Sequence, residues 1–360
     1  MNMWSDRRIL DLLAIEHPII QAPMAAASNA ELVGAVSEAG GLGSYGAAGD
    51  RPDRLRSVVQ AIRQRTGRSF NVNLFSAHTE AFDRDARPGP RLAERLEAYH
   101  RELDVGPVPE PGPLFGPAEE QFRVLVEEGV PVISLHFGAD AAMVARAHQA
   151  GAKVLCSATT VAEAKALEDM GIDAVIAQGA EAGGHRGTFT VDYRRALIGT
   201  MALIPQVVDA VSVPVIAAGG IMDARGVVAA LALGASAVQM GTAFLGCPEA
   251  PIAAVWRDSL EAAGAEATTV TEALSGKPAR GIRNRYVDEV EALDEPLLPY
   301  PAQYSVSRVL RKAATERGDS RFLAMWAGQG VGLIRRRPAA DLVNELVAES
   351  QKLLDRLAGA

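Results

Sequence analysis

Short runs of apolar, often β-branched residues alternate along this chain with longer alanine-rich stretches. Such runs are typical of parallel strands buried on both faces, and the alanine-rich stretches between them are typical of crossover helices. Glycine separates three helical stretches from the next apolar run, at Gly151, Gly171 and Gly234, where a left-handed residue can end a helix. The predicted strands are residues 17–22, 41–45, 70–74, 130–135, 153–156, 173–178, 213–217 and 236–240. Eight strands, each followed by a helix, predict an α/β fold, a closed TIM-like (β/α)8 barrel.

Two segments lie outside this eightfold pattern. Residues 76–116 form a long connection after the third strand that is rich in proline, arginine and glutamate, and connections of that length are usually lids or accessory subdomains. We therefore expect residues 1–75 and 117–265 to form the barrel and residues 76–116 to form an insertion or lid. Residues 266–360, which end in amphipathic helices, are expected to lie over the barrel mouth and to contribute to the substrate pocket.

Composition limits the classes of partner. The 360 residues exceed the roughly 250 of a bare barrel but suit one with additions. A balance of 36 Lys+Arg against 44 Asp+Glu gives a net charge of −8, which argues against nucleic acid or an anionic membrane. No apolar stretch is long enough to span a bilayer, and the first residues lack the apolar segment of a secretory signal. Cys156 and Cys247 have no metal-ligand or CxxC spacing, and no His/Asp/Glu pair has metal-ligand spacing, so we expect reduced thiols in a cytoplasmic protein without a metal site.

The strongest chemical signal follows the sixth predicted strand, in Gln178-Gly-Ala-Glu-Ala-Gly-Gly-His185-Arg-Gly187. Glycines at the C-terminal end of a strand let the backbone approach a flat ligand because no Cβ is in the way. The single imidazole of His185 is then a candidate proton-transfer group above that ligand. Gln178 closes the strand and can hydrogen-bond the edge of a polar ring system. The alternative is a flexible loop with a solvated histidine.

The loops after strands seven and eight carry a second signal. They read Ala217-Ala-Gly-Gly-Ile-Met-Asp223 and Gln239-Met-Gly-Thr242. In parallel barrels, phosphate often lies between these two loops, where glycine backbone N–H groups and a helix N-terminus bind it without any lysine. Asp223 is suited to cap the following helix, and the hydroxyl of Thr242 can add a donor. Alternatively, the glycines serve only the tight turns of a barrel.

Three further residues have a functional and a structural interpretation. Met24 can pack against the face of a ring or belong to the core. Asn71, in strand three, can donate to ligand oxygens or be satisfied by backbone groups. His136, after strand four, can point into the mouth, although a structural histidine is the favoured interpretation. The glycines at residues 40–43 precede a strand and open no helix, so the dinucleotide-binding fingerprint is not met.

Taken together, these segments resemble the nitronate monooxygenase family, formerly called 2-nitropropane dioxygenases, in its first class. The resemblance covers nearly the whole chain. The segments that carry it include Pro18-Ile-Ile-Gln-Ala-Pro-Met24, Phe70-Asn-Val-Asn-Leu-Phe75, Ser134-Leu-His-Phe-Gly138, Glu181-Ala-Gly-Gly-His-Arg-Gly187 and Trp326-Ala-Gly-Gln-Gly330. The element around His185 is highly specific, whereas the loops after strands seven and eight are shared with many flavin and phosphate barrels.

The resemblance implies a barrel that binds FMN non-covalently and oxidises alkyl nitronates with O2 to carbonyl compounds and nitrite. Propionate 3-nitronate and nitroalkanes are candidate substrates, and His185 is implied to be the catalytic imidazole. The predicted FMN contacts are Met24, Asn71, Gln178, Gly183, Gly219, Gly220, Gln239, Met240, Gly241 and Thr242. The residues implied to line the substrate pocket are Tyr300, Tyr304 and Arg308.

The chain departs from the family pattern in two places, and rival functions stay open. Residues 25–30 read Ala-Ala-Ala-Ser-Asn-Ala where the family commonly has Gly-Val and then Pro, and Arg308 stands where some members carry lysine. The first rival is an NAD(P)H-dependent FMN reductase of quinones or enoyl thioesters on the same barrel, and the lack of a nicotinamide fingerprint mildly favours the oxygen-using enzyme. The second is a non-catalytic barrel that binds a flavin or a phosphate ligand. The oligomeric state is open.

Overall fold

A parallel sheet of eight strands forms the centre of the computed structural model, which describes residues 4, 6–76, 83, 85–113 and 118–359. Its strand order is β1-β9-β8-β6-β5-β4-β3-β2, and a bridge between Ile20 and Leu42 joins the two ends, so the sheet closes into a barrel. The strands of the described residues are β1 Ile19–Gln21, β2 Gly43–Gly46, β3 Phe70–Phe75, β4 Val132–His136, β5 Lys153–Ala158, β6 Ala174–Gln178, β7 Gly184–His185, β8 Val215–Ala218, β9 Ala237–Met240, β10 Thr268–Thr271 and β11 Ala279–Ile282. Each barrel strand overlaps its predicted range, so the predicted TIM-like barrel is confirmed.

Side chains alternate between the inside and the outside of the barrel. In β6, for example, Ala174 and Ile176 pack in the interior, whereas Val175 and Ala177 pack against the surrounding helices. Burying the side chain of Val175 or Ile176 contributes about 1.5–3 kcal/mol. The first helix packs its apolar residues into the same interior cluster, so the interior is filled and the ligand space lies at the C-terminal strand ends.

Helices surround the barrel and begin close to its strand ends. Their bounds are α1 Arg8–Leu13, α2 Ala30–Glu38, α3 Pro52–Arg63, α4 Pro90–Glu102, α5 Ala118–Glu127, α6 Ala141–Gln149, α7 Val161–Asp169, α8 Thr200–Val208, α9 Ala224–Ala232, α10 Thr242–Leu245, α11 Ala254–Ala262, α12 Arg285–Glu291, α13 Ala302–Val306, α14 Arg308–Glu316 and α15 Ala339–Ala358. Side-chain caps fix several of the starts: Asn29 accepts from the N–H of Leu32, and Asp223 accepts from the N–H of Arg225, as expected for Asp223 from the sequence.

The last helix, α15, lies on the side of the barrel. It packs against α9 and α2, with Leu342, Val343 and Leu346 buried in the layer between strands and helices. It therefore takes the position of the eighth barrel helix. We expected the tail helices to lie over the mouth; α15 differs because its apolar face completes the outer layer of the barrel between α2 and α9.

The residues between β9 and α15 form most of the cover over the mouth. Their strands β10 and β11 make an antiparallel sheet with β7, which carries His185. Helix α4 of the insertion joins this cover: Tyr99 packs on Tyr286 and donates to Glu289 at 2.8 Å. Residues 77–82, 84 and 114–117 of the insertion lie outside the described residues, and its role as a lid stays a prediction.

Candidate active site

A cavity of about 890 Å³ opens at the C-terminal ends of the barrel strands. Residues that follow or end β1, β3, β4, β6, β8 and β9 line it, together with parts of the cover. Ligand sites of small molecules typically enclose about 300–1,000 Å³, so this cavity is at the large end of that range. Its position is the one at which parallel barrels bind their ligands.

Backbone and side-chain hydrogen bonds fix His185 on the wall of this cavity. The residue pairs with Ala279 of β11. Gln178 donates from Nε2 to the carbonyl of His185 at 2.9 Å and accepts from the N–H of Gly187 at 2.8 Å. Both polar ends of the Gln178 amide therefore hold the His185 loop (residues 179–187), while the side chain also lines the cavity.

His136 supports the same loop. Its Nε2 lies 3.2 Å from the carbonyl of His185, which can only accept, so Nε2 carries the proton. Its Nδ1 then accepts from the hydroxyl of Ser157 at 3.0 Å. Burial lowers the pKa of His136 to about 4, so the ring is neutral near pH 7. His136 lines the cavity, and both of its ring nitrogens position other groups, in line with the structural role favoured from the sequence.

The tautomer of His185 follows from its contact with Ser275. Nε2 lies 2.9 Å from the hydroxyl of Ser275, which donates its single proton to the carbonyl of Lys277 at 2.9 Å. Nε2 must therefore be the donor, which leaves Nδ1 as the proton acceptor of the neutral ring. Burial lowers the pKa of His185 to about 3, and Lys277 and, once it is protonated, His136 act in the same direction. The imidazole is thus a neutral, oriented acceptor near pH 7.

Aromatic rings enclose this imidazole. Tyr300 meets it edge-on with 5.4 Å between ring centroids, and Trp326 lies at the same distance at a tilt of 49°. Phe75 and Phe137 approach it edge-on at 6.1 and 6.0 Å. These rings exclude water from the imidazole, which is the physical cause of its lowered pKa.

Glycines allow several backbone segments to converge at the other side of the cavity. Gly219 and Gly220 have φ values of +119° and +73°, which side-chain-bearing residues rarely adopt. A Cβ at Gly328 would lie 2.7 Å from the carbonyl oxygen of Glu181, so only glycine permits this approach. The N–H of Gly328 donates to the hydroxyl of Thr242 at 2.9 Å, which ties the cover to the end of β9.

Cations surround the His185 loop without paired carboxylates in the described part of the chain. Arg186 is fully buried and donates to the carbonyls of Gly179, Gln178 and Ala196 at 2.6, 3.0 and 3.3 Å. Burial lowers its pKa to about 10, so it remains charged near pH 7. Arg280 donates to the carbonyl of Ala180 at 2.9 Å. Glu181 and Glu163 act on Arg186, and Glu181 acts on Arg280, without forming ion pairs in the described residues, so the positive charge around the loop is partly offset.

Comparison with known proteins assigns the chain to a family. The family model described as nitronate monooxygenase matches residues 6–349. The chain belongs to the nitronate monooxygenase family. It is 44% identical over 362 aligned residues to the nitronate monooxygenase of Pseudomonas aeruginosa, covering 95% of this chain and 98% of the relative. It is 38% identical over 360 residues to a probable nitronate monooxygenase of Staphylococcus aureus, covering 98% of this chain and 99% of the relative.

Two solved structures share the fold of this chain over nearly its whole length. The nitroalkane oxidase from Streptomyces ansochromogenes superposes with a TM-score of 0.87 at 37% identity, over 97% of this chain and 99% of that one. FabK from Thermotoga maritima superposes with a TM-score of 0.77 at 32% identity, over 98% of both chains. The chain is therefore an enzyme of an oxidoreductase family that acts on small molecules. In the described residues, no helix combines the length and apolar character needed to cross a membrane.

The structure of this family member brings most of the predicted site residues to the one cavity. Those that line it are Met24, Gln178, Gly183, His185, Gly219, Gly220, Gln239, Met240, Gly241, Thr242, Tyr300 and Tyr304. Their roles as cofactor, substrate or catalytic contacts stay predictions. Residues 25–30, where the chain departs from the family pattern, line the cavity as well. Cys156 and Cys247 are buried and free, and the cytoplasmic location stays a prediction.

Asn71 is placed deeper in the barrel than the cavity lining. Its amide donates to the hydroxyl of Ser134 at 2.9 Å, and a contact with FMN stays a prediction. Asn73 lines the cavity instead, and it also donates to Ser134. The two amides share one face of β3, and Asn73 is nearer the C-terminal end of the strand. Its position in the sequence, closer to the end where the ligand binds, already favoured Asn73 over Asn71 as a cavity residue.

Arg308 does not reach the cavity lining, contrary to its predicted place in the pocket. It is exposed at the start of α14, because the buried face of that helix carries Leu310, Ala313 and Ala314. Arg311, one turn later, lies with its guanidinium 3.5 Å from the ring centroid of Tyr304. Sequence reasoning missed Arg311, because helix phase, rather than proximity in sequence, decides which side chain meets the pocket.

Trp326 and Ser275 are two further functional candidates that the sequence did not reveal as such. Trp326 lines the cavity beside His185, and Ser275 bonds the imidazole. Trp326 lies in a segment that carries the family resemblance, but the contacts of both residues with His185 depend on the pairing of β7 with β11. No periodicity along the chain indicates that long-range register.

Proposed function

We propose that this enzyme binds FMN at the barrel mouth and uses O2 to oxidise alkyl nitronates to carbonyl compounds and nitrite. The observation that carries the proposal is the neutral imidazole of His185, oriented by Ser275, on the wall of a large cavity. The family membership supports the reaction class, and the P. aeruginosa relative is itself named a nitronate monooxygenase. Two nitronate anions and one O2 give two carbonyl molecules and two nitrite ions, so atoms and charge balance without an external reductant.

The residues present fit FMN. Gly219 and Gly220 line the cavity at positive φ, and their lack of a Cβ lets backbone N–H groups there approach a phosphate. Oε1 of Gln239, a residue that lines the cavity, is buried and has no hydrogen-bond partner in the described part of the chain. A ring N–H of a flavin would satisfy this acceptor, which would otherwise be costly to bury.

In this proposal, Gly219, Gly220, Gly241 and Thr242 hold the phosphate, and Gln239 and Met24 contact the ring. The hydroxyl of Thr242 accepts from Gly328 and keeps its own proton to donate to a phosphate oxygen. FMN, when bound, supplies the electron transfer between substrate and O2.

The side chains of the protein bind and orient the substrate. Nδ1 of His185 accepts the α-proton of a neutral nitroalkane, or orients the anion when the substrate is already a nitronate. The rings of Tyr300 and Trp326 exclude water at this point.

Oxygen uptake with a short alkyl nitronate, measured beside anaerobic mixing with NADH, tests the proposal. We expect a yellow protein that consumes O2 with the nitronate, forms nitrite, and is not bleached by NADH. With a neutral nitroalkane as substrate, a His185→Asn variant should keep FMN but lose at least about a hundredfold in turnover, the lower range for loss of a general base. Rapid bleaching by NADH with quinone or enoyl thioester reduction, and no nitronate oxidation, would establish the reductase instead. A colourless protein that does not take up FMN would refute the cofactor assignment.

A further inference from the structure

Lys277 is held beside His185 by the loop between β10 and β11. It precedes Ala279, whose backbone pairs with His185, by two residues. Gly276, at φ +77°, lets the loop pack closely on the segment that carries Tyr300, because a Cβ there would lie 2.3 Å from the carbonyl of Leu298. The loop is therefore fixed between two parts of the active-site wall.

The ammonium group of Lys277 lies against the ring of Phe137. Nζ is 4.5 Å from the ring centroid, and that ring is 6.0 Å from the imidazole of His185 and 6.2 Å from the ring of Tyr300. Phe137 has a φ of +70°, which is uncommon for a residue with a side chain. Such backbone outliers cluster at functional sites, and this one brings the ring close to both the cation and the imidazole.

No protein acceptor bonds the ammonium group in the part of the chain that the structure describes. Its contact with Phe137 leaves three N–H donors available. Glu272 is the acidic group that acts on Lys277, but it also pairs with Arg194 at 3.7 Å. Burial lowers the pKa of Lys277, which shows that water solvates this cation poorly.

The other cations near the cavity are bonded or exposed. Arg311 donates to the carbonyl of Tyr304 at 2.8 Å and to the hydroxyl of Ser307, and Arg308 is exposed away from the lining. Arg186 is held by backbone carbonyls. Arg54, which lines the cavity, is 73% exposed and pairs with Asp50 at 2.9 Å. Lys277 lies outside the residues that line the cavity, but its charge acts on His185, so it is the cation best placed to act through space on a negatively charged substrate there.

We propose that Lys277 determines substrate specificity by favouring anionic nitronates over the corresponding neutral nitroalkanes. This rests on the function proposed above. The positive charge attracts the nitronate oxygens to the His185 side of the cavity and has little effect on a neutral molecule of the same shape. Lys277 takes no part in proton transfer, so its contribution is to KM for the anion rather than to the chemical step.

The test compares Lys277→Met, Lys277→Arg and Lys312→Met in the flavin-loaded enzyme. Lys312 is a matched control, since its side chain is 77% exposed on α14. Initial rates with a nitronate and with its parent nitroalkane, at low and high salt, give KM and kcat for the anionic and neutral forms. Binding of nitrate, followed by the change in flavin absorbance, reports on anion affinity without turnover.

We expect Lys277→Met to raise KM for the nitronate and the Kd for nitrate about tenfold, a change that corresponds to about 1.4 kcal/mol. The salt dependence of KM should largely disappear, and the neutral nitroalkane should be unaffected. Lys277→Arg should restore most of the anion preference, and Lys312→Met should behave as the wild type. If Lys277→Met fails to fold, Lys277→Gln replaces it.

Two results would overturn the inference while leaving the proposed function intact. In the first, wild type oxidises nitronates but Lys277→Met keeps its KM, nitrate affinity and salt dependence, or an Arg308→Met variant loses them instead. In the second, Lys277→Met weakens anionic and neutral substrates equally, which indicates a structural role against Phe137. A wild-type enzyme inert toward nitronates would refute the proposed function, and this inference with it.

Discussion

The hydrogen bond from His185 to Ser275 allows a stringent test of the proposed role of the imidazole. In a Ser275→Ala variant, Nε2 loses the partner 2.9 Å away that holds its proton, so the ring can rotate and exchange tautomers. A neutral hydrogen bond contributes about 0.5–1.5 kcal/mol net, and about 1.4 kcal/mol corresponds to a factor of ten in rate. We therefore expect kcat for a neutral nitroalkane to fall about tenfold.

The choice of substrate separates tautomer control from general damage. A nitronate has already lost its α-proton, so kcat for the anion should fall much less than kcat for the nitroalkane. Ser37→Ala is a matched control, because that buried hydroxyl also makes two hydrogen bonds, to Ser69 and Gly43, on the outer layer of the barrel. It should cost stability without changing the ratio of the two activities.

Two spectroscopic and kinetic measurements complete the test. Nitrogen-15 NMR should show the Nε2-protonated tautomer of His185 in the wild type and a mixture in Ser275→Ala. Water admitted to the vacated position should raise the pKa of His185 from about 3 toward the ordinary value, so activity with the nitroalkane should decline at a higher pH in the variant. A variant that keeps the wild-type tautomer, both activities and the same pH profile would refute the reasoning.

Three further predictions concern the cofactor cradle, the last barrel helix and acid stability. Gly220→Ala forces a side chain into φ +73°, which costs about 1–2 kcal/mol, so flavin fluorescence titration should show about tenfold weaker FMN binding. The control Gly318→Ala, at φ +65° in open space, should bind FMN normally. Equal Kd values for the two variants would contradict the assignment of Gly220 to the FMN site. Leu346→Ala should lower the free energy of unfolding, measured by urea denaturation, by about 2–5 kcal/mol. Leu357 is 68% exposed on the same helix, so Leu357→Ala should change that free energy by less than about 0.5 kcal/mol. Similar losses in the two variants would refute the packing of α15. The pKa of His185 is about 3 in the fold and about 6.5 in the unfolded chain, so the unfolded chain binds the extra proton and stability is lost as pH falls from 6.5 toward 3. Removing this group in His185→Asn should make the loss shallower by up to about 1.4 kcal/mol per pH unit between about pH 4 and 6, and unchanged slopes would argue against the lowered pKa.

The barrel and the position of its cavity could be predicted because both depend on short-range patterns. Apolar runs bounded by glycine identify the strands, and parallel connectivity brings their C-terminal ends to one mouth, which is why residues as distant as Met24 and Gln239 meet there. The order of the strands then follows from the rules of barrel closure.

Other parts of the site could not be predicted from short-range patterns in the sequence. Whether Asn71 or Asn73 reaches the mouth depends on depth within the barrel, and the exclusion of Arg308 depends on the phase of α14. The contacts of Ser275 and Lys277 with the wall around His185 depend on the antiparallel register of β7 and β11, which joins segments far apart in the chain. Register across such a separation leaves no periodic trace in a single sequence.

The placement of α15 has a consequence for how the polypeptide acquires its structure. Since this helix fills the gap between α2 and α9, an elongating chain on the ribosome keeps one side of its barrel uncovered until nearly all of the cover over the mouth has been synthesised. Scaffold and cover should then form a single cooperative unit, and a fragment ending before Ala339 would present bare apolar surface to chaperones and proteases rather than persist as an empty barrel.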